Sequence, residues 1–396
     1  MENIDKMYTK EMNICTHFGE NEIGSYKPIT PPIVQTSTFS FDSYEQFLDI
    51  CNDEKNSYMY TRGTNPTTQL LEKRLAQLEG GEGCKVFSSG MAAISSTLLT
   101  LLQNGDHVIS LNIIYGQATT FMNSLSKYGI EHTNVFVKSM EDIEDNIQEN
   151  TKIIYMESPS SQLMELLDLE AITKIAKEKN IITVIDNTWA TPIFQKPIKH
   201  GVDVVIHSCS KYIGGNSDVV SGAVISTNKI IDEIFDFAHQ NLGAVNSPFN
   251  SWLLLRGLRT LPMRLNYQQQ SVKKVINFLQ QDDRIEIVNH PFCGNKRQKE
   301  LANKYLLGYA SLLSFVIKEN DFDKLKKFVN SLKLFQIGVS WGGYESLVLP
   351  AFKGINQEQL EKRKMSKMHV RLYVGIEDAD SLIEDLKQAL DSIYNS

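Results

Sequence analysis

Between about residues 61 and 257 the chain alternates short apolar runs with longer amphipathic stretches, and this alternation constrains the fold more than any other feature. The runs Lys85–Phe87, His107–Ser110, Lys152–Met156, Ile181–Ile185 and Val204–Ile206 read as strands. Gln69–Glu79, Met91–Gln103, Thr119–Tyr128 and Leu169–Lys179, lying between them, read as helices. Strands this short and this apolar suit a sheet covered on both faces, so the fold class is α/β with a large, mostly parallel sheet. Residues 258–396 carry longer helical patterns at Gln268–Gln280, Phe322–Leu332 and Asp380–Tyr394, with strands near Ser311–Ile317 and Val370–Val374. They read as a smaller C-terminal α+β domain. Residues 1–60, broken by Pro28, Pro31 and Pro32, read as an irregular arm that needs a partner surface to order it. The expected organisation is therefore 1–60 arm, 61–257 ligand-binding domain and 258–396 C-terminal domain.

In open parallel sheets, ligands bind beyond the carboxyl ends of the strands. Two such ends carry chemistry. One is Val184-Ile185-Asp186-Asn187-Thr188, and the other is Ile206-His207-Ser208-Cys209-Ser210-Lys211. A lysine amine can form a Schiff base with an aldehyde, and an Asp can hold a proton on a pyridine nitrogen. Those are the two needs of pyridoxal 5'-phosphate (PLP). Taken singly, a helix-capping Asp and a surface lysine are the plainer readings. Taken jointly, at this spacing and behind apolar runs, they favour the cofactor. Ser208 and Ser210 add hydroxyls suited to a phosphate oxygen.

Other segments fit around this pair. Ser88-Ser89-Gly90-Met91 follows a strand and opens an apolar helix, so the amides of Gly90 and Met91 are candidates for the PLP phosphate. Tyr60-Thr61-Arg62 offers a phosphate clamp, although spacing alone favours a turn-rich loop with a solvated Arg. Tyr115, just past a strand, either stacks on the pyridine ring or belongs to the core rim. Arg371 stands inside an apolar strand, where a charge is costly unless paired; a substrate carboxylate and a core acid are equal alternatives for its partner.

Composition narrows the function further. A net charge of −7 gives no basic footprint for nucleic acid. No apolar run approaches the roughly 20 residues of a membrane span, and the first residues lack an apolar signal core. The five cysteines are scattered without a CxxC pair, and the eight histidines lack metal spacing. No disulfide framework and no metal site is expected, and a cytoplasmic location is.

Tyr60-Thr61-Arg62, Ser89-Gly90-Met91, Asp186-Asn187-Thr188, Ser208-x-Ser210-Lys211 and Arg256-Gly257-Leu258-Arg259-Thr260-Leu261-Pro262 resemble, in order and spacing, the Cys/Met-metabolism family of PLP enzymes. The resemblance runs over nearly the whole chain. It implies an aspartate aminotransferase-like (type I) fold and a homotetramer built from two catalytic dimers, with the arm at the subunit interface. It implies that Tyr60 and Arg62 bind the phosphate of the neighbouring subunit's PLP and that Tyr115 stacks on the ring. Thr188 and Ser161 would lie at the cofactor, Ser161 near its phenolic oxygen. Arg371 would bind the substrate α-carboxylate with help from Ser340, and Trp341 and Tyr60 would line the substrate site.

Within the family, Ser340-Trp341-Gly342-Gly343-Tyr344-Glu345-Ser346-Leu347 is similar to bacterial cystathionine β-lyase. Ser161 agrees with that branch. Val339 stands where cystathionine γ-lyases often carry Glu, and Gln117 where methionine γ-lyases carry Cys. Tyr60–Pro66 and Ser88–Met91 look instead like the γ-acting enzymes. The resemblance implies β-elimination of L-cystathionine to homocysteine, pyruvate and ammonia, with cysteine desulfhydration beside it. The alternatives are a methionine or cystathionine γ-lyase, a cystathionine γ-synthase or an O-acetylhomoserine sulfhydrylase. A PLP-fold regulatory or binding protein is the non-enzyme alternative, disfavoured by the intact set of Lys211, Asp186, Tyr115 and Arg371.

Overall fold

The computed structural model describes residues 2–20, 28–363 and 365–394; the remaining parts of the expected arm lie outside the described residues. A seven-stranded sheet contains β1 (Gly83–Phe87), β2 (His107–Leu111), β3 (Glu131–Val135), β4 (Thr151–Glu157), β5 (Ile182–Asp186), β6 (Val204–His207) and β7 (Gly222–Ser226), in the order β1-β7-β6-β5-β4-β2-β3. From β3 to β6 every neighbouring pair is parallel, and β7 runs antiparallel to both β6 and β1.

Alternation along the strands divides the side chains between two cores. Ile109, Ile154, Ile185, Val205 and Ile225 face one side, where Leu71, Leu75 and Leu78 of the helix Pro66–Glu79 meet them. Val108, Ile153, Val184, Val204 and Val224 face the other, against Ile94 and Leu98 of the helix Gly90–Leu101. Apolar residues on both faces made β1, β2, β4, β5 and β6 legible; β7 is equally buried but was not among the expected strands. β3 escapes that pattern because it is an edge strand of Glu131, His132, Thr133 and Asn134, and only its last residue is buried.

The second sheet joins β8 (Ile285–Asn289), β9 (Leu312–Ile317), β10 (Gln336–Ile337), β11 (Leu347–Pro350) and β12 (His369–Tyr373) in the order β10-β11-β12-β9-β8. It shares a core with the helices Leu261–Gln281, Phe322–Ser331 and Ala379–Tyr394 through residues such as Val275, Phe328 and Leu386. Tyr212, the residue after Lys211, ties the two sheets together. Its hydroxyl accepts from Ser311 N at 3.0 Å, and its ring lies 5.5 Å from Trp341 and 5.9 Å from Tyr373.

The N-terminal arm corrects the expectation of irregular chain. It contains the helices Glu2–His17 and Tyr44–Asn52. The prolines that argued against regular structure all fall between them. The first helix is held by its own chain: Ile14 and Cys15 are buried, and the buried guanidinium of Arg74 donates to Cys15 O at 3.0 Å, Phe18 O at 2.9 Å and Glu20 Oε1 at 2.6 Å. The helix Tyr44–Asn52, by contrast, buries none of its residues.

Gly222 brings β7 against the turn that opens the helix Gly90–Leu101. A Cβ there would sit 2.3 Å from Ser89 O and 2.9 Å from Gly90 Cα. Gly222→Ala is expected to lower stability by about 1–3 kcal/mol through overpacking and to displace that turn. Urea unfolding and PLP affinity check the two effects; an unchanged midpoint with unchanged affinity would refute the close-packing argument.

Candidate active site

Asp186 and Lys211 lie at the carboxyl ends of neighbouring strands, and one chain of hydrogen bonds links their turns. Asp186 ends β5, and its Oδ1 accepts from Thr188 N at 3.0 Å and from Thr188 Oγ1. Thr188 Oγ1 in turn accepts from Ser208 N at 2.8 Å. Asp186 is partly open to the cleft, yet the protein around it pushes its carboxyl above the usual range; the Thr188 bonds and the His207 and Lys211 charges oppose that push. Lys211 Nζ donates to Ser340 Oγ at 2.5 Å and lies 5.7 Å from the Trp341 ring centroid. Burial holds its amine below the ordinary lysine value, the Arg371 charge lowers it further and Asp186 opposes both. A larger neutral fraction makes this amine a better nucleophile and base than a solvated lysine.

The helix Gly90–Leu101 begins beside the same turns. Ser89 caps it, its Oγ accepting from Ala92 N at 3.0 Å. The amides of Gly90 and Met91 precede the first helical hydrogen bond and face outward, as an anion requires. A Cβ on Gly90 would meet Ser208 Cβ at 2.9 Å, so Ser208 stands directly against this helix start. Ser210 is clasped to Ser221, donating to its carbonyl at 3.2 Å and accepting from its amide at 2.9 Å.

Tyr115 precedes the helix Gly116–Ser124 and is half exposed in the cleft. Its amide donates to Glu157 Oε1 at 2.5 Å. Glu157 ends β4 in register with Asp186, and its carboxyl is pushed up to about 8, chiefly by burial and then by Asp186; Ser161 hydrogen-bonds to it and opposes the shift. Nothing local in the sequence marks Glu157 as a buried acid, because a lone Glu is by default a solvated residue.

The second sheet closes the cleft. Arg371 of β12 is buried, and its Nη2 donates to Val339 O at 2.8 Å. Among the described residues no acid lies within ion-pair distance of it, so the core-acid alternative is removed. Burial without such a partner pushes its guanidinium down to about 10. Gly342, at φ +91°, lets the Ser340–Gly343 loop approach: a Cβ there would lie 2.8 Å from the backbone of Lys211.

Tyr60 and Arg62 are not gathered into this group. Both are exposed, the Arg62 guanidinium lies 5.5 Å from the Tyr60 ring, and its Nη2 donates to Gln240 at 3.2 Å. Among the described residues no cluster of His, Cys, Asp and Glu is arranged to hold a metal ion, and no helix is long and apolar enough to cross a membrane.

Comparison with known proteins agrees with this geometry. The chain is 38% identical over 375 residues to an L-methionine gamma-lyase from Fusobacterium nucleatum subsp. polymorphum, covering 93% of this chain and 95% of that protein. It is 36% identical over 368 residues to a cystathionine beta-lyase from Lactococcus lactis subsp. cremoris, covering 92% and 94%. A solved cystathionine gamma synthase from Xanthomonas oryzae pv. oryzae superposes with a TM-score of 0.91 at 32% identity, covering 97% of this chain and 98% of that one. Residues 13–391 match the Cys/Met metabolism PLP-dependent enzymes, and the chain belongs to that family.

Proposed function

We propose that this enzyme is a carbon–sulfur lyase that cleaves L-cystathionine by β-elimination to homocysteine, pyruvate and ammonia, and that also desulfhydrates cysteine. The observation that carries the reading is the seat of Lys211, between the Ser340 hydroxyl at 2.5 Å and the Trp341 ring at 5.7 Å. β-Elimination asks the base for one proton, from Cα. γ-Elimination asks for a second from Cβ, so its base has to travel. A lysine seated between a hydroxyl and an indole face is suited to taking the Cα proton without reaching Cβ.

The residues present fit PLP. The Gly90–Ser208 approach forms a cradle that a Cβ would fill, with the Gly90 and Met91 amides and the Ser208 hydroxyl suited to its phosphate and Ser210 holding the adjoining backbone. Lys211 would carry the aldehyde carbon, Asp186 would face the ring nitrogen with Thr188 fixing its carboxylate, Tyr115 would stack, and Ser161 would stand near the phenolic oxygen. PLP supplies, when bound, the electron sink for the charge that develops at Cα. Arg371 and Ser340 grip the α-carboxylate and set the Cα–H bond toward Lys211. Lys211 removes that proton, the Cβ–S bond breaks, and Tyr115 or Lys211 returns a proton to sulfur. Trp341 and Tyr60 would pack against the thioether chain.

Tyr60 and Arg62 would serve the phosphate of a neighbouring subunit. Their exposure, and a helix Tyr44–Asn52 with nothing buried, support a homotetramer of two catalytic dimers. Five free cysteines support a cytoplasmic setting.

Incubation with L-cystathionine is expected to yield pyruvate and homocysteine in equal amounts. A yield of 2-oxobutyrate and cysteine would instead establish γ-elimination. That second reading draws on the 38% identity to a methionine gamma-lyase.

A further inference from the structure

On the face of the large sheet opposite Asp186, a carboxylate and an imidazole meet out of solvent. Glu79 is the last residue of the helix Pro66–Glu79 and is fully buried. Its Oε1 accepts from Asn187 Nδ2 at 2.8 Å, and its Oε2 lies 3.5 Å from His207 Nε2. Neither Glu79 Oε2 nor His207 Nε2 has a hydrogen-bond partner in this arrangement. Asn187 directly follows Asp186, and His207 directly precedes Ser208 in the turn that carries Lys211. One carboxylate therefore touches the ends of both strands that deliver the chemistry. A buried carboxylate is costly unless a cation or donors answer it, and His207 is the group at hand. Lys196 Nζ is bonded to the carbonyl of Leu78, the residue before Glu79, and is paired with Glu11 at 2.9 Å.

We infer that Glu79 and His207 form a buried positioning pair, which fixes the Asp186 and Ser208–Lys211 turns relative to each other. The inference rests on the reading of Asp186 as the partner of the PLP ring nitrogen.

The test uses PLP-loaded protein, with Glu79→Gln and His207→Gln made singly and together. Each single variant is expected to raise the PLP dissociation constant about tenfold, and to shift the absorption maximum of the bound cofactor as Asp186 moves relative to the ring. The double variant should be no worse than either single one, because both remove the same coupling. A merely structural role would move the melting temperature and leave the absorption maximum in place. Wild-type affinity and spectrum in Glu79→Gln overturn the inference while the PLP reading stands. Failure of the unmutated protein to take up PLP overturns both. If Glu79→Gln does not fold, His207→Gln decides by the same two readouts.

Discussion

Lys211→Ala is expected to fold normally and to lose nearly all turnover, by about 10⁴-fold or more, the upper range for removing a general base. The loss is this large because two roles vanish with one amine. The covalent tie to PLP is broken, so borohydride reduction should no longer fix the cofactor to the chain. The base for the Cα proton is also gone, and neither group that seats the amine replaces it: Ser340 offers a hydroxyl and Trp341 an indole face, neither basic at neutral pH. Stability should change little, since the lysine is partly buried, its charge is disfavoured by burial and it makes one side-chain hydrogen bond. The checks are the absorbance of the reconstituted protein and the rate of keto-acid release. Turnover close to the unmutated rate would end the assignment of Lys211.

How far the sequence reaches can be judged from individual positions. The inner parallel strands β2, β4, β5 and β6 were legible because each is apolar on both faces, as Val184 and Ile185 are. The edge strand β3 was not, because its side chains are mostly polar and its pairing with β2 is a tertiary fact. Helix ends moved by a few residues where turns tightened; the stretch Thr119–Tyr128 is a helix Gly116–Ser124 followed by a 3₁₀ turn Leu125–Tyr128. Asp186 and Lys211 could be singled out as candidates because strand ends are where such folds place ligands. Glu157, Glu79 and His207 could not. Glu79 meets Asn187 across 108 residues, and nothing local marks either as buried. Arg371 lay between these cases. Its strand was legible, but the choice between a core acid and a substrate needed the three-dimensional neighbourhood.

That neighbourhood gives Arg371 the second large expected effect. Its guanidinium is buried, carries one hydrogen bond to Val339 O at 2.8 Å and has no acid within ion-pair distance among the described residues. On the proposed reading, it is a charge kept at a cost for a carboxylate that arrives with the substrate. Arg371→Leu removes the partner of a desolvated carboxylate, worth about 2–5 kcal/mol, or roughly 30- to 4,000-fold in kcat/KM. Most of the change should fall on KM if the grip is equal in ground and transition states, and on kcat if it also aligns the Cα–H bond. Arg371→Lys should not rescue it, because a point charge lacks the planar fork that fits a carboxylate. Stability discriminates between the two roles. A substrate-binding Arg leaves the unliganded protein as stable as before or more so when replaced by Leu, since a disfavoured charge is gone from the core. A structural Arg would do the reverse, lowering the unfolding midpoint while leaving KM for cystathionine where it was.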